Sequence, residues 1–389
     1  MFGGILRSVA HLGLSRWLWD AIVLAIAARV AAAFVLSFWP LKFDTYTAEA
    51  GRARLLSPLD VVGIDIEHYM TEAERIAAGT WLEHNMGDSF TPPLTPILLW
   101  LMYYGPGHTL PTAMSWLVLS CVWVAGWIVV LRARAADPRW ALALAVLPTP
   151  VLYQFAIGTD LPFAVLFLLF FWSYTSSSEN GRVWIWSGAV LLMAMTRAAV
   201  LSVLLFLLID QILALVRGKQ GSKATIVALV VVFVGSAIIY WPWFTTFMNP
   251  ALNRPGYANL AVYFGIPETR FLGGLFGAPV PELVDRPLSW ALLVTAKILY
   301  FCGFRPSFES ATMLGTLLRS TFAVITLPGL LYCLWRGEER ERLMVVVVLA
   351  PTLFGLTQER FSLPILPLMA FYGVAFWVRL FGRAVSPPR

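Results

Sequence analysis

Twelve apolar segments, most of them joined by short polar turns, run the length of this chain, and that succession restricts the fold more than any single motif does. In order they are Trp17–Trp39, Pro92–Tyr104, Leu110–Val130, Trp140–Ile157, Leu161–Tyr174, Val183–Met195, Ala198–Val216, Ala224–Phe247, Trp290–Phe301, Thr312–Trp335, Leu343–Leu356 and Phe361–Leu380. Hydrophobic residues make up 59% of the 389 positions and charged residues 13%, well below the roughly 25% charged share of soluble domains. A helix that crosses hydrocarbon needs about 20 apolar residues, which leaves room for around ten such spans. The expected fold class is all-α: one integral domain over residues 1–389, a polytopic membrane bundle of about ten transmembrane helices.

Charge sets the expected topology. Pro92–Tyr104 and Trp290–Phe301 are too short for straight spans, and the second carries Lys297 in its middle. If both stay on one side, six basic clusters fall together: Arg7/Arg16, Arg132/Arg134/Arg139, Arg182, Arg217/Lys219/Lys223, Arg336/Arg340/Arg342 and Arg379/Arg383/Arg389. The positive-inside rule then places both termini, 1–16 and 381–389, in the cytoplasm and two large loops, 40–109 and 248–310, outside. Clustered loop charges of this kind are topological anchors, so the formal net charge of +6 does not indicate a nucleic-acid partner. Cys121, Cys302 and Cys333 lie in apolar stretches without a CxxC pair, which indicates neither a disulfide framework nor a zinc site. With no repeat of 20–50 residues, the chain lacks the internal symmetry of many transporters.

Against this background the polar insert from Lys42 to Thr91 stands out, with nine acidic residues to four basic ones. Within it, Ile66, Tyr69, Met70, Ala73, Ile76 and Ala77 recur at helical spacing and Gly79 supplies a stop, which predicts an amphipathic surface helix over Asp65–Gly79. A carboxylate at its first turn, Asp65, is placed to act as a general base in a partly desolvated cleft. The local alternative is that Asp65 only caps the helix. Glu67, two residues on, points about 200° around the helix from Asp65. Thr91-Pro92-Pro93-Leu94 then starts the short apolar helix rigidly.

Other polar residues fall at external span ends. Asp160 opens a span after Gly158-Thr159, either as a helix cap or as a second carboxylate lining the same cleft. Arg197, Arg305 and Arg360 run against the positive-inside bias, and each calls for a counter-ion: a ligand phosphate or a local carboxylate such as Glu309 or Glu359. Arg29 and Asp210 sit inside spans and need partners. The spacings of His68, His84 and His108 match no metal-ligand pattern.

Taken in order, the chain shows Arg29 in the first span, Asp65-x-Glu67-x-Tyr69, Gly79, Pro92-Pro93-Leu94, Asp160 opening a span, Thr196-Arg197, and Glu359-Arg360-Phe361 before Pro364 and Pro367. This order resembles the GT-C superfamily of polytopic glycosyltransferases. Nearest are the bacterial relatives of protein O-mannosyltransferases and of lipid A aminoarabinose transferases. The resemblance implies an inverting hexosyltransferase of a bacterial plasma (inner) membrane with its active site on the extracytoplasmic side. It implies a polyprenyl-phosphate sugar donor, with a hexose such as mannose, and a hydroxyl acceptor on a glycan, lipid or protein. It puts the catalytic base on Asp65, a second acidic role on Glu67, a cavity-lining acid on Asp160, and the lipid phosphate on Arg360, with Arg305 and Arg197 as further phosphate ligands. Asp44, closer to the first span, is the rival base. Two external carboxylates could also bridge Mg or Mn, so a divalent cofactor stays open. Two other functions stay open: a transporter or flippase of lipid-linked saccharides, and a polysaccharide polymerase or ligase using the external arginines Arg254, Arg270 and Arg286.

Overall fold

In the computed structural model of the chain the described residues are 16–38, 65–81, 91–103, 112–132, 139–147, 158–175, 180–218, 222–248, 294–295, 297–299, 301–303, 313–354 and 362–385. Among them the structure is all-helical, without a strand. Twelve helices carry it: α1 Arg16–Phe38, α2 Asp65–Ala78, α3 Leu94–Tyr103, α4 Thr112–Leu131, α5 Arg139–Val146, α6 Asp160–Thr175, α7 Asn180–Ala194, α8 Val200–Val216, α9 Lys223–Met248, α10 Met313–Arg336, α11 Glu339–Phe354 and α12 Leu366–Val385. Followed through their packing, α1, α4, α6, α7, α8, α11, α10, α12 and α5 return to α1, while α2 lies along α3.

Local chemistry accounts for the ends of these elements. At Gly79, φ is 75°, a conformation that glycine adopts at no steric cost. Its N–H reaches the Ile76 carbonyl at 3.1 Å and the Thr80 N–H reaches Arg75 at 3.0 Å, the paired bonds of a Schellman stop for α2. Gly218, with φ 70°, ends α8 in the same conformation. Between α10 and α12 the backbones nearly touch: a Cβ on Gly329 would collide with the Met369 carbonyl, and one on Gly373 with that of Ile325. Close approach over small residues is how helices associate where hydrocarbon surrounds them and burial of apolar surface offers no net gain.

The interior is aromatic, with Trp127 against Phe171 at 4.8 Å between centroids and Trp140 against Phe371 at 5.5 Å. Arg29 is fully buried inside it. Its Nε donates to Ser120 Oγ at 2.8 Å and its Nη1 to the Ala25 and Ala145 carbonyls at 3.1 Å, so one guanidinium ties α1, α4 and α5 together. The outer faces invert the soluble pattern. On α9, Ile226, Val230, Val234, Ile238 and Trp241 are exposed, whereas Ser236 and Tyr240 turn inward. On α8, Leu201, Leu205, Leu208, Ile212 and Leu215 are exposed, whereas Ser202 and Asp210 turn inward. Among the described residues one helix, over Lys223–Trp241, is long and apolar enough to cross a membrane by itself.

Candidate functional site

The ends of α6, α8 and α9 define two poles. One gathers α2, the start of α3, the Gly158–Asp160 turn, the Ala194–Arg197 turn and Tyr240; this is the insert pole. The other, the basic pole, gathers Tyr174, Asp210, Arg217 and the start of α11. Asp160 and Tyr174, on the same helix at opposite poles, are about 21 Å apart along its axis at 1.5 Å per residue.

At the insert pole, five segments distant in sequence are joined by direct bonds. His68 Nε2 and Thr91 Oγ1 lie 2.8 Å apart, tying α2 to the residues that lead into α3. The Leu94 N–H, first of α3 and just after the two prolines, donates to the Met195 carbonyl at 2.7 Å. Tyr240 on α9 donates its hydroxyl to the Ala194 carbonyl at 2.9 Å. Thr196 is fully buried and closes the turn on the Met193 carbonyl at 2.6 Å. Arg197, which follows it, forms an ion pair through Nη1 with Asp160 Oδ1. Tyr240 lies within electrostatic reach of both Arg197 and Tyr69.

The sequence-derived candidates fall into three groups. Asp160 and Arg197 come together as an ion pair. For Asp65 and Glu67 the backbone opens α2, and their side chains lie outside the described residues. Asp44, Arg305, Glu359 and Arg360, the arginines Arg254, Arg270 and Arg286, and most of the 40–109 and 248–310 loops also lie outside them.

The inward face of α2 differs from its apolar prediction. Ala73 is buried and Tyr69, Met70 and Ile76 are half-buried, yet Ala77 is exposed and Glu72 is fully buried, paired with Arg75. Position 72 follows position 65 by seven residues and position 67 by five, about 20° and 140° around an ideal helix. That spacing was present in the sequence; counting apolar residues alone passed over it.

At the basic pole Asp210 is buried and receives a hydrogen bond from Tyr174 OH and a contact from Arg340 Nε at 3.3 Å. Gln211 donates to the same Tyr174 oxygen at 3.3 Å, and the Arg340 guanidinium lies over the Tyr174 ring at 5.1 Å. Arg217, only seven residues beyond Asp210, turns instead to Glu339 and grips both carboxylate oxygens. The hydrogen bonds to Glu339 and its charge raise the pKa of Arg217 above its ordinary value. Asp210, Arg217, Glu339 and Arg340 line a cleft of about 340 Å³ with Ala214 and Glu338.

A second opening of about 340 Å³ lies between α8 and α9, lined by Leu208, Gln211, Leu229, Val230, Phe233 and Val234. Its nearest residues are some 10 Å along α9 from Tyr240 at 1.5 Å per residue. Among the described residues no three His, Cys, Asp or Glu are grouped to hold a metal ion.

Comparison with protein-family models, with curated proteins and with solved structures finds no match to this chain.

Proposed function

We propose that the chain is a polytopic membrane glycosyltransferase that moves a hexose from a polyprenyl-phosphate donor to an acceptor hydroxyl at the insert pole, on the extracytoplasmic side. The observation that carries this reading is the joining of α2, α3, the Asp160 turn and the Thr196-Arg197 turn by direct hydrogen bonds and one ion pair. Those are the elements that the resemblance orders along the sequence, and a donor with its tail in hydrocarbon and its phosphate at the interface needs them together. The apolar outer faces of α8 and α9 support a bilayer setting of about ten spans, since contiguous exposed apolar surface marks a membrane or a partner. The groove between those helices suits an isoprenoid chain.

In this mechanism Asp65 takes the proton of the acceptor hydroxyl as its oxygen bonds to the anomeric carbon. The bond from that carbon to the phosphate oxygen breaks, its electron pair leaves with the polyprenyl phosphate, and Arg360, with Arg305 or Arg197, stabilises the departing charge. The configuration inverts, because attack and departure use opposite faces.

The test is reconstitution of the purified chain with a panel of polyprenyl-phosphate hexoses and a hydroxyl acceptor, followed by mass spectrometry. Formation of a glycosidic product that depends on the lipid-linked donor, and weakens in Arg360→Ala, is the expected result. Passage of lipid-linked saccharide across the bilayer without a new glycosidic bond would instead establish the flippase reading.

A further inference from the structure

The Asp160–Arg197 pair has an unusual setting. Its side chains are part-covered, 11% and 23% exposed, so solvent reaches both partners. The backbone beneath Arg197 is held from three directions, by Leu94 N–H on Met195, Tyr240 on Ala194 and Thr196 on Met193. An exchange of partner at the guanidinium therefore needs no movement of the turn. A guanidinium fork accepts a carboxylate or a phosphate with the same geometry.

We propose that Asp160 is a built-in competitor at a phosphate site on Arg197: it occupies the guanidinium until the phosphate of a monoester or diester ligand displaces it. The proposal rests on the donor class given above and concerns how that same site is regulated. A ligand that requires Arg197 released from Asp160 has its apparent affinity reduced by the fraction of time the pair is open. For a part-exposed pair the reduction reaches about five-fold. The sign separates this account from its rival. If Asp160 merely oriented Arg197 toward the ligand, its loss would weaken binding.

The experiment measures the Kd of farnesyl phosphate, a short polyprenyl phosphate, and separately of inorganic phosphate, for the purified full chain in lipid nanodiscs. Asp160→Asn is expected to tighten farnesyl phosphate about three- to five-fold, and Arg197→Gln to weaken it at least about ten-fold. Tightening in both arms assigns the site to the phosphate group alone, and tightening in the farnesyl arm alone assigns it to the lipid headgroup; either supports competition. An independent readout on the unaltered chain is carbodiimide labelling of Asp160, which should rise as farnesyl phosphate saturates. Unchanged or weaker binding in Asp160→Asn, or labelling that does not rise, overturns the inference while leaving the donor class standing. Binding lost in Arg360→Ala but retained in Arg197→Gln does the same. No binding of either phosphate to the unaltered chain overturns both this inference and the donor class.

Discussion

The two poles of the bundle hold their charges in opposite ways. At the basic pole the charges are networked: Asp210 is held by Tyr174 and Arg340, Tyr174 by Gln211, and Glu339 by Nη1 and Nη2 of Arg217. At the insert pole the backbone is held, through Leu94 on Met195 and Tyr240 on Ala194, and Asp160 and Arg197 form a part-exposed pair. A network fixes side chains and joins helices. A fixed backbone carrying a part-exposed pair suits a group that changes partners. On the proposed reading, the difference separates a structural end from a working end.

Four substitutions probe that division, in order of falling effect on stability. Asp210→Ala deprives Tyr174 of its acceptor and strands charge at the basic pole, and is expected to cost about 2–3 kcal/mol, read as a clear fall in the melting temperature of the solubilised chain. Arg340→Ala removes a half-exposed partner from the same network and should cost about 1 kcal/mol or less by the same measurement. A cost equal to that of Asp210→Ala would mean that the ion pair, and not the tyrosine hydrogen bond, dominates this pole. Asp160→Asn at the insert pole should also stay within about 1 kcal/mol; a larger fall would make its pair with Arg197 a structural lock and erase the contrast. Thr91→Val removes the partner of His68 and should cost about 0.5–1 kcal/mol, with faster amide exchange confined to 65–78. For transfer activity the order is expected to reverse, with the insert-pole variants losing more turnover than the basic-pole ones.

The positions of the helices were legible in the sequence because hydropathy and stop signals are local. The apolar segment Trp17–Trp39 became α1 over Arg16–Phe38, Leu161–Tyr174 became α6, and Asp65–Gly79 became α2 with its glycine stop in place. Partners were not legible, since nothing in local periodicity says which helix lies alongside which. Arg197 called for a counter-ion that local spacing could not single out, and helix packing brings Asp160, 37 residues before it, into contact. Asp210 had Arg217 within two turns, yet α11 offers Arg340 to one and Glu339 to the other. Glu72 was hidden for a different reason. A charge on an otherwise apolar face lowers the apparent amphipathicity of that face, even when Arg75 one turn later compensates it.

Glu72 also bears on Asp65. A charged residue buried seven positions along the same register makes the inward face of α2 polar as well as apolar. That is the kind of surface on which a carboxylate can be partly desolvated without being sealed from substrate.

The central claim, that the insert pole performs the chemistry with Asp65 as base, is tested most directly by the turnover of purified Asp65→Asn in proteoliposomes with a polyprenyl-phosphate hexose and a hydroxyl acceptor. The account predicts a loss of at least about a hundred-fold, the scale of a missing general base, with an unchanged melting temperature. Turnover above about a tenth of the unaltered chain, far short of the loss expected for a missing base, would contradict it.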